Sequence, residues 1–223
     1  MKLVLATRNA DKAREIVELL AELDVEVLTL DDFAPFDPTV EDGDTLEANA
    51  LKKAREARDH TGLSALADDT GLEVDALGGA PGVYSSRYAR ENAPYAENCA
   101  KLEREMRAVP AGKRGARFRT VMALALCPAD AARLALYFAR HPEARPRGTV
   151  DCLVSEGVIH GEIATVMRGE SGFGYDPLFI DAASGRTLAE MTLAEKNATS
   201  HRYRALVEMR AQLVRYGLAS HPA

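Results

Sequence analysis

Two aspartates stand side by side, Asp68 and Asp69, between the apolar run Ala65 to Ala67 and Gly71. An adjacent pair of like charges repels itself, so a chain that carries one gives it a cation or leaves it in water. The pair is therefore read as half of a magnesium (Mg2+) site, set where the strand breaks. Magnesium binds a few carboxylates and completes its shell with water and ligand phosphates, so two or three acids suffice. The acidic loop Asp37, Glu41, Asp42 and Asp44 offers a further ligand, Glu41, provided that the loop folds toward the pair. As alternatives, Asp69 would merely cap the turn made with Thr70 and Gly71, and the loop acids would be solvated.

Three other segments carry groups of the right kind. TRNADK places Thr7, Arg8, Asn9, Ala10, Asp11 and Lys12 between a strand and a helix start, where backbone N–H groups, a hydroxyl and a lysine would cradle phosphate. It lacks the glycine spacing of a Walker loop, and Asn9 and Asp11 read equally as helix caps. SGFGYDP sets Phe173 and Tyr175 beside Gly174 and Asp176, a place for a purine to stack; otherwise it is a turn holding a core aromatic. EKNATSHR gathers Lys196, Ser200, His201 and Arg202 near a helix start, donors that would read a carbonyl-bearing base. Lys52 and Lys53 precede the acidic pair, as exposed helix charges or with one aimed at phosphate.

The elements that must position these groups follow from periodicity. LVLA is a first strand, Ile16 to Leu23 has helical spacing, and VEVLTL is a second strand. The loop DDFAPFDPTVEDGD leads into the helix TLEANALKKAREAR, with Asp44 and Glu47 at capping-box spacing, as are Thr192 and Glu195. A helix is expected after Pro94, strands in RFRTVMALALC and RLALYFA, a proline-rich surface loop in HPEARPRG, and a hairpin in TVDCLVSEGVIHGEIATVM turning at Ser155 to Gly157. A last helix runs from about Glu195 to Tyr216. Alternating strands and helices followed by hairpins predict an α/β fold, a mixed, bent central sheet with flanking helices.

Composition narrows the function. With 223 residues and 47% hydrophobic content the chain can bury a sizeable core. A net charge of −6 argues against nucleic-acid polymers as partners, while a small phosphorylated ligand arriving with magnesium is compatible. Cys99, Cys127 and Cys152 form neither a disulfide framework nor a zinc pattern, and neither a signal peptide nor a membrane-spanning run is found. A cytoplasmic protein is expected.

Taken in order, TRNADK, VEDGDTLEANALKKA, ADDTGLEVDALGGAPGVYSSRYA, SGFGYDPLF and EKNATSHR resemble the inosine triphosphate pyrophosphatase family, the Ham1/RdgB family of non-canonical purine NTP pyrophosphatases. The likeness runs from the first strand to the last helix. It implies hydrolysis of ITP, dITP and XTP to the monophosphate and pyrophosphate, which cleanses the nucleotide pool. It also implies a magnesium-dependent homodimer and a single domain over residues 1–223, elongated and two-lobed, with the nucleotide in the cleft. By motif, Thr7, Asn9, Lys12 and Lys53 would hold the triphosphate, Asp69 would be the general base, and Asp68 and Glu41 would help place the metal. Phe173, Gly174, Tyr175, Asp176, Lys196, His201 and Arg202 would bind base and sugar, with Thr70 near the substrate. The chain departs from the family in carrying Arg8 where glycine is frequent, in Val40-Glu41-Asp42 where two glutamates are frequent, and in a long segment from Pro128 to Gly148. Two rival readings are a non-catalytic nucleotide sensor and a pyrophosphatase for other modified nucleotides, such as the methylated pyrimidines of Maf-type enzymes.

Overall fold

A computed structural model of the chain describes residues 1–144 and 148–221. The chain divides into two compact units: residues 1–69, 121–156 and 204–223 form the first, residues 70–120 and 157–203 the second. Strands β1 (Lys2–Leu5), β2 (Glu26–Thr29), β3 (Ser64–Val74), β5 (Gly115–Ala125), β7 (Cys152–Ile163) and β6 (Gly148–Thr149) form a mixed sheet in the order β2-β1-β3-β5-β7-β6. The short strands β4 (Pro81–Gly82) and β8 (Phe179–Asp181) pair antiparallel with β3 and β7. Among the described residues six α-helices accompany them: α1 (Ala10–Leu20), α2 (Leu46–Thr61), α3 (Tyr95–Met106), α4 (Pro128–Arg140), α5 (Leu193–Thr199) and α6 (His201–Arg215). Among the described residues no helix is long and apolar enough to cross a membrane.

In the first unit β1 lies between β2 and β3 and is parallel to both, with Leu5 opposite Thr29 on one side and Leu66 on the other. The chain leaves β1 toward β2 and returns to the far side of β1 as β3, so β1 and β3 flank a topological switch point, where open α/β sheets place ligands at the carboxyl ends of the strands. The core of this unit is built from Leu3, Leu5, Ile16, Leu20, Leu66, Met122, Leu134 and the buried face of α6. The second unit has its own core, in which Leu72, Leu102, Met106, Phe118, Phe179 and Leu188 meet.

Several sequence expectations are corrected. The acidic pair does not break its strand: β3 runs unbroken through Asp68 and Asp69, and each aspartate meets its own lysine, which offsets the repulsion between them. RLALYFA is the second half of α4, which starts with Pro128 at its first turn; Ala131, Leu134, Tyr137 and Phe138 pack on the core at helical, not alternate, spacing. The expected hairpin is a single strand, β7, with no turn at Ser155 to Gly157. Thr45, not Asp44, caps α2, its hydroxyl accepting the Ala48 N–H at 3.1 Å. The last helix is two, since Ser200 is extended and its hydroxyl accepts the Tyr203 N–H at 3.1 Å, starting α6 afresh. Of the proline-rich excursion, Arg145, Pro146 and Arg147 lie outside the described residues.

Candidate active site

The first unit gathers the acidic and basic candidates. Lys12, on the first turn of α1, meets Asp68 at 2.9 Å, with the Asp68 side chain 1% exposed. On the other side Lys53 of α2 reaches Asp69 at 3.1 Å and Glu41 at 2.7 Å. Thus the loop acid does fold toward the pair, and a lysine stands between. Asp69 receives a second donor, the Asn49 side-chain amide, at 3.2 Å.

Burial pushes the Asp69 carboxyl above its ordinary range; Lys53 and Lys12 pull it back and the negative charge of Glu41 adds to the rise, with burial prevailing. For Lys53 burial disfavours the ammonium, and the charges of Asp69, Glu41 and Asp68 more than offset it, so its pKa is raised. The result is a carboxylate more basic than usual beside a firmly charged lysine. Elsewhere in the chain burial drives the Cys99 and Cys152 thiols up to about 11.

The loop from Thr39 to Gly43 runs antiparallel to α2, fastened to it step by step. Thr39 donates to Glu56 at 2.5 Å, Glu41 pairs with Lys53, Asp42 with Lys52 at 2.7 Å, and the Gly43 N–H donates to Asn49 at 2.8 Å. Earlier in the loop, Arg8 donates to the Phe36 carbonyl at 2.5 Å and lies over the Phe36 ring, which stacks on His60. The Arg8 side chain is thus engaged with the loop. Asn9 is the N-cap of α1, its side-chain oxygen accepting the N–H groups of Asp11 and Lys12. The Thr7 hydroxyl accepts the Asn9 N–H at 3.2 Å. Ala10 opens the helix, and the Asp11 side chain lies 4.0 Å from Arg14. Thr7, Arg8, Asn9 and Ala10 also line a cavity of about 570 Å³ with Thr29, Leu30, Phe33 and Phe36.

For a divalent cation the chemistry of the donors fits: Glu41, Asp68 and Asp69 are hard oxygen ligands of the kind magnesium takes. Among the described residues no group of three or more His, Cys, Asp or Glu side chains is disposed to hold a metal ion. A magnesium ion here would therefore draw further ligands from phosphate and water.

The second unit separates the two aromatics of SGFGYDP. Tyr175 is a core residue whose hydroxyl donates to the Ser85 carbonyl at 2.9 Å. Phe173 is half-buried, with the Lys196 ammonium 4.4 Å and the Arg202 guanidinium 5.7 Å from its ring centre. Asp176 holds this arrangement, accepting the Phe173 N–H at 2.9 Å and the Lys196 ammonium at 2.8 Å in a buried ion pair. Gly172 has φ +78°, and a Cβ there would lie 2.2 Å from an Asp176 carboxylate oxygen, so glycine is required. The Gly174 carbonyl accepts from the Cys99 thiol. His201 stacks on Phe118 with ring centres 4.8 Å apart, and Arg202 reaches the Thr70 hydroxyl, itself bonded to Thr120. Phe173, Asp176, Lys196 and Arg202 are therefore one cluster, joined through Arg202 to Thr70.

Among known protein families, residues 3–212 match the one described as the Ham1 family. The chain belongs to the Ham1 family. Its Ham1 relatives include the dITP/XTP pyrophosphatase of Geobacter sulfurreducens, 46% identical over 95% of this chain and 96% of that protein. A dITP/XTP pyrophosphatase of Xanthomonas campestris is 44% identical over 95% of this chain and 96% of that protein. Of solved structures, a HAM1 protein from Coxiella burnetii superposes with a TM-score of 0.79 at 40% identity, covering 96% of this chain and 98% of its own.

Within this Ham1 protein the sequence reading missed three residues. Asn49 stands four before Lys53, which puts both on one face of α2, and that spacing was the available signal. Tyr95, half-exposed at the start of α3, lies 5.9 Å from Phe173 by ring centres. Thr120, paired with Thr70, follows only from the pairing of distant strands.

Proposed function

We propose that this Ham1 protein hydrolyses purine nucleoside triphosphates such as ITP, dITP and XTP to the nucleoside monophosphate and pyrophosphate. The observation that carries this reading is the buried Asp69 carboxylate, raised in basicity yet held by Lys53 and Asn49; the names of the relatives supply the substrate class. Asp69 accepts the proton of the attacking water as its oxygen bonds to phosphorus, the anhydride P–O bond between the α and β phosphates breaks, and pyrophosphate leaves. Thr7, the Asn9 segment, Lys12 and Lys53 face the triphosphate. Glu41, Asp68 and Asp69 would hold a magnesium ion, which when bound offsets charge on the transferring group.

In the second unit Phe173 offers a stacking face, and the Lys196, His201 and Arg202 segment offers donors. Such donors suit the 6-keto oxygen of hypoxanthine or xanthine and meet the amino group of adenine donor to donor. Homodimerisation and a cytoplasmic location belong to the same reading through family likeness. The test is a panel of triphosphates scored for pyrophosphate. Release is expected from dITP, ITP and XTP with magnesium, none with EDTA, and ATP is expected to be slower by about 100-fold or more. Binding without turnover would replace the reading by a nucleotide sensor, and preference for methylated pyrimidines by a Maf-type activity.

A further inference from the structure

Helix α2 presents two side chains to Asp69. Lys53 takes one carboxylate oxygen at 3.1 Å and Asn49, one turn earlier, takes the other at 3.2 Å. The far end of the same Asn49 amide accepts the Gly43 N–H of the acidic loop at 2.8 Å, and two residues before Gly43 Glu41 returns to Lys53 at 2.7 Å. The contacts form a closed ring: loop, Asn49, Asp69, Lys53, loop. We propose that Asn49 is a positioning residue, holding the Asp69 carboxylate and the acidic loop in one register for hydrolysis. This rests on the assignment of Asp69 as base.

Helix formation does not explain an asparagine here. Asn49 is fully buried in the second turn of α2, where alanine or leucine would serve the helix better and a buried amide is costly unless both its ends are bonded. Both ends are bonded, one to the loop and one to the carboxylate. Chemistry also fixes its orientation, since a flipped amide would set oxygen against the Asp69 carboxylate and NH2 against the Gly43 N–H. An independent observation comes from the loop side. A Cβ on Gly43 would lie 2.7 Å from the Asn49 side-chain oxygen and 2.9 Å from the Ala48 methyl, so the loop is cut to glycine where it meets this amide. With both oxygens of Asp69 tied to one helix, the carboxylate plane is set before substrate arrives, which is the pre-organisation that base catalysis rewards.

The experiment compares Asn49→Ala and Asn49→Asp with wild type by dITP kinetics and, without nucleotide, by amide hydrogen exchange at Gly43. In Asn49→Ala, kcat is expected to fall about 100-fold, with KM within about threefold of wild type. Exchange at Gly43 should quicken about tenfold. Asn49→Asp keeps an acceptor for Gly43 but has no donor for Asp69, so Gly43 stays protected while kcat still falls. Variants that keep kcat per folded molecule, losing only melting temperature or affinity, overturn the positioning role alone. An unchanged exchange rate at Gly43 in Asn49→Ala refutes the ring. Wild-type protein that releases no pyrophosphate from dITP overturns the hydrolytic reading and the role with it, whereas the exchange measurement still reports on the loop.

Discussion

Replacing Lys53 by methionine tests the electrostatics of the first unit directly. The methylenes of Lys53 are buried and methionine fills much the same space, so the main change is the loss of one cation between two carboxylates. Removing one partner of a buried pair costs about 3–5 kcal/mol, because the charge left behind is uncompensated. The lower end applies here: Asn49 still donates to Asp69, and Glu41, with its side chain 29% exposed, can turn to water. A loss of about 3 kcal/mol lowers the melting temperature of a chain of this size by about 6–12 °C. The same substitution in a Glu41→Gln, Asp69→Asn background removes a cation whose two ion-pair partners are already neutral, with only Asp68 still acting on it, and its cost should drop to about 1 kcal/mol or less. Thermal unfolding of the four proteins, metal-free and at neutral pH, gives both differences. Equal drops in the two backgrounds would show that Lys53 acts through packing and refute the reasoning.

Asp69→Asn should cut dITP turnover at least about 100-fold, the value of a general base, while dITP binding by calorimetry persists; a variant that keeps most of its rate removes Asp69 from the chemistry. Gly172→Ala forces a side chain into the Asp176 carboxylate at a positive φ, and should destabilise the Phe173 turn by about 1–3 kcal/mol. It should raise KM for dITP more than it lowers kcat, and an unchanged KM would detach that turn from base binding. Glu195 bonds to Arg186 and to the Thr192 backbone, which holds its carboxyl down at about 2 against an ordinary 4.5. A depressed folded-state value means stability present above 4.5 and lost as pH falls toward 2. Glu195→Gln should therefore melt below wild type at neutral pH, and the gap should close as pH 2 is approached; a gap independent of pH would show that charge is not the cause.

Much of this was legible in the sequence because it is local. The Asn9 cap, the Thr192 and Glu195 box, α3 after Pro94 and the parallel start β1-α1-β2 each follow from residues within one turn or one strand of each other. The failures share another cause. RLALYFA has the apolar run of a strand, and only its packing on the first core shows that its spacing is helical; TVDCLVSEGVIHGEI carries hairpin-like residues at Ser155 to Gly157, yet it is one extended strand set between β5 and β6 in the sheet. Phe173 and Tyr175 are equivalent in sequence, and tertiary contact alone makes one core and leaves the other half-buried under two cations.

The aspartate pair shows most clearly what adjacency in sequence conceals. Read as a string, two neighbouring carboxylates suggest a broken strand. In β3 Asp68 is met by Lys12 at the start of α1 and Asp69 by Lys53 and Asn49 on α2. The strand survives because each charge is neutralised by a different helix, and the two helices belong to the connections leaving β1 and entering β3. Asp69 carries a second donor, Asn49, and has the acidic loop behind it, with Glu41 on the same lysine. Two identical residues are thereby placed in different surroundings, and burial raises the basicity of Asp69 in its own.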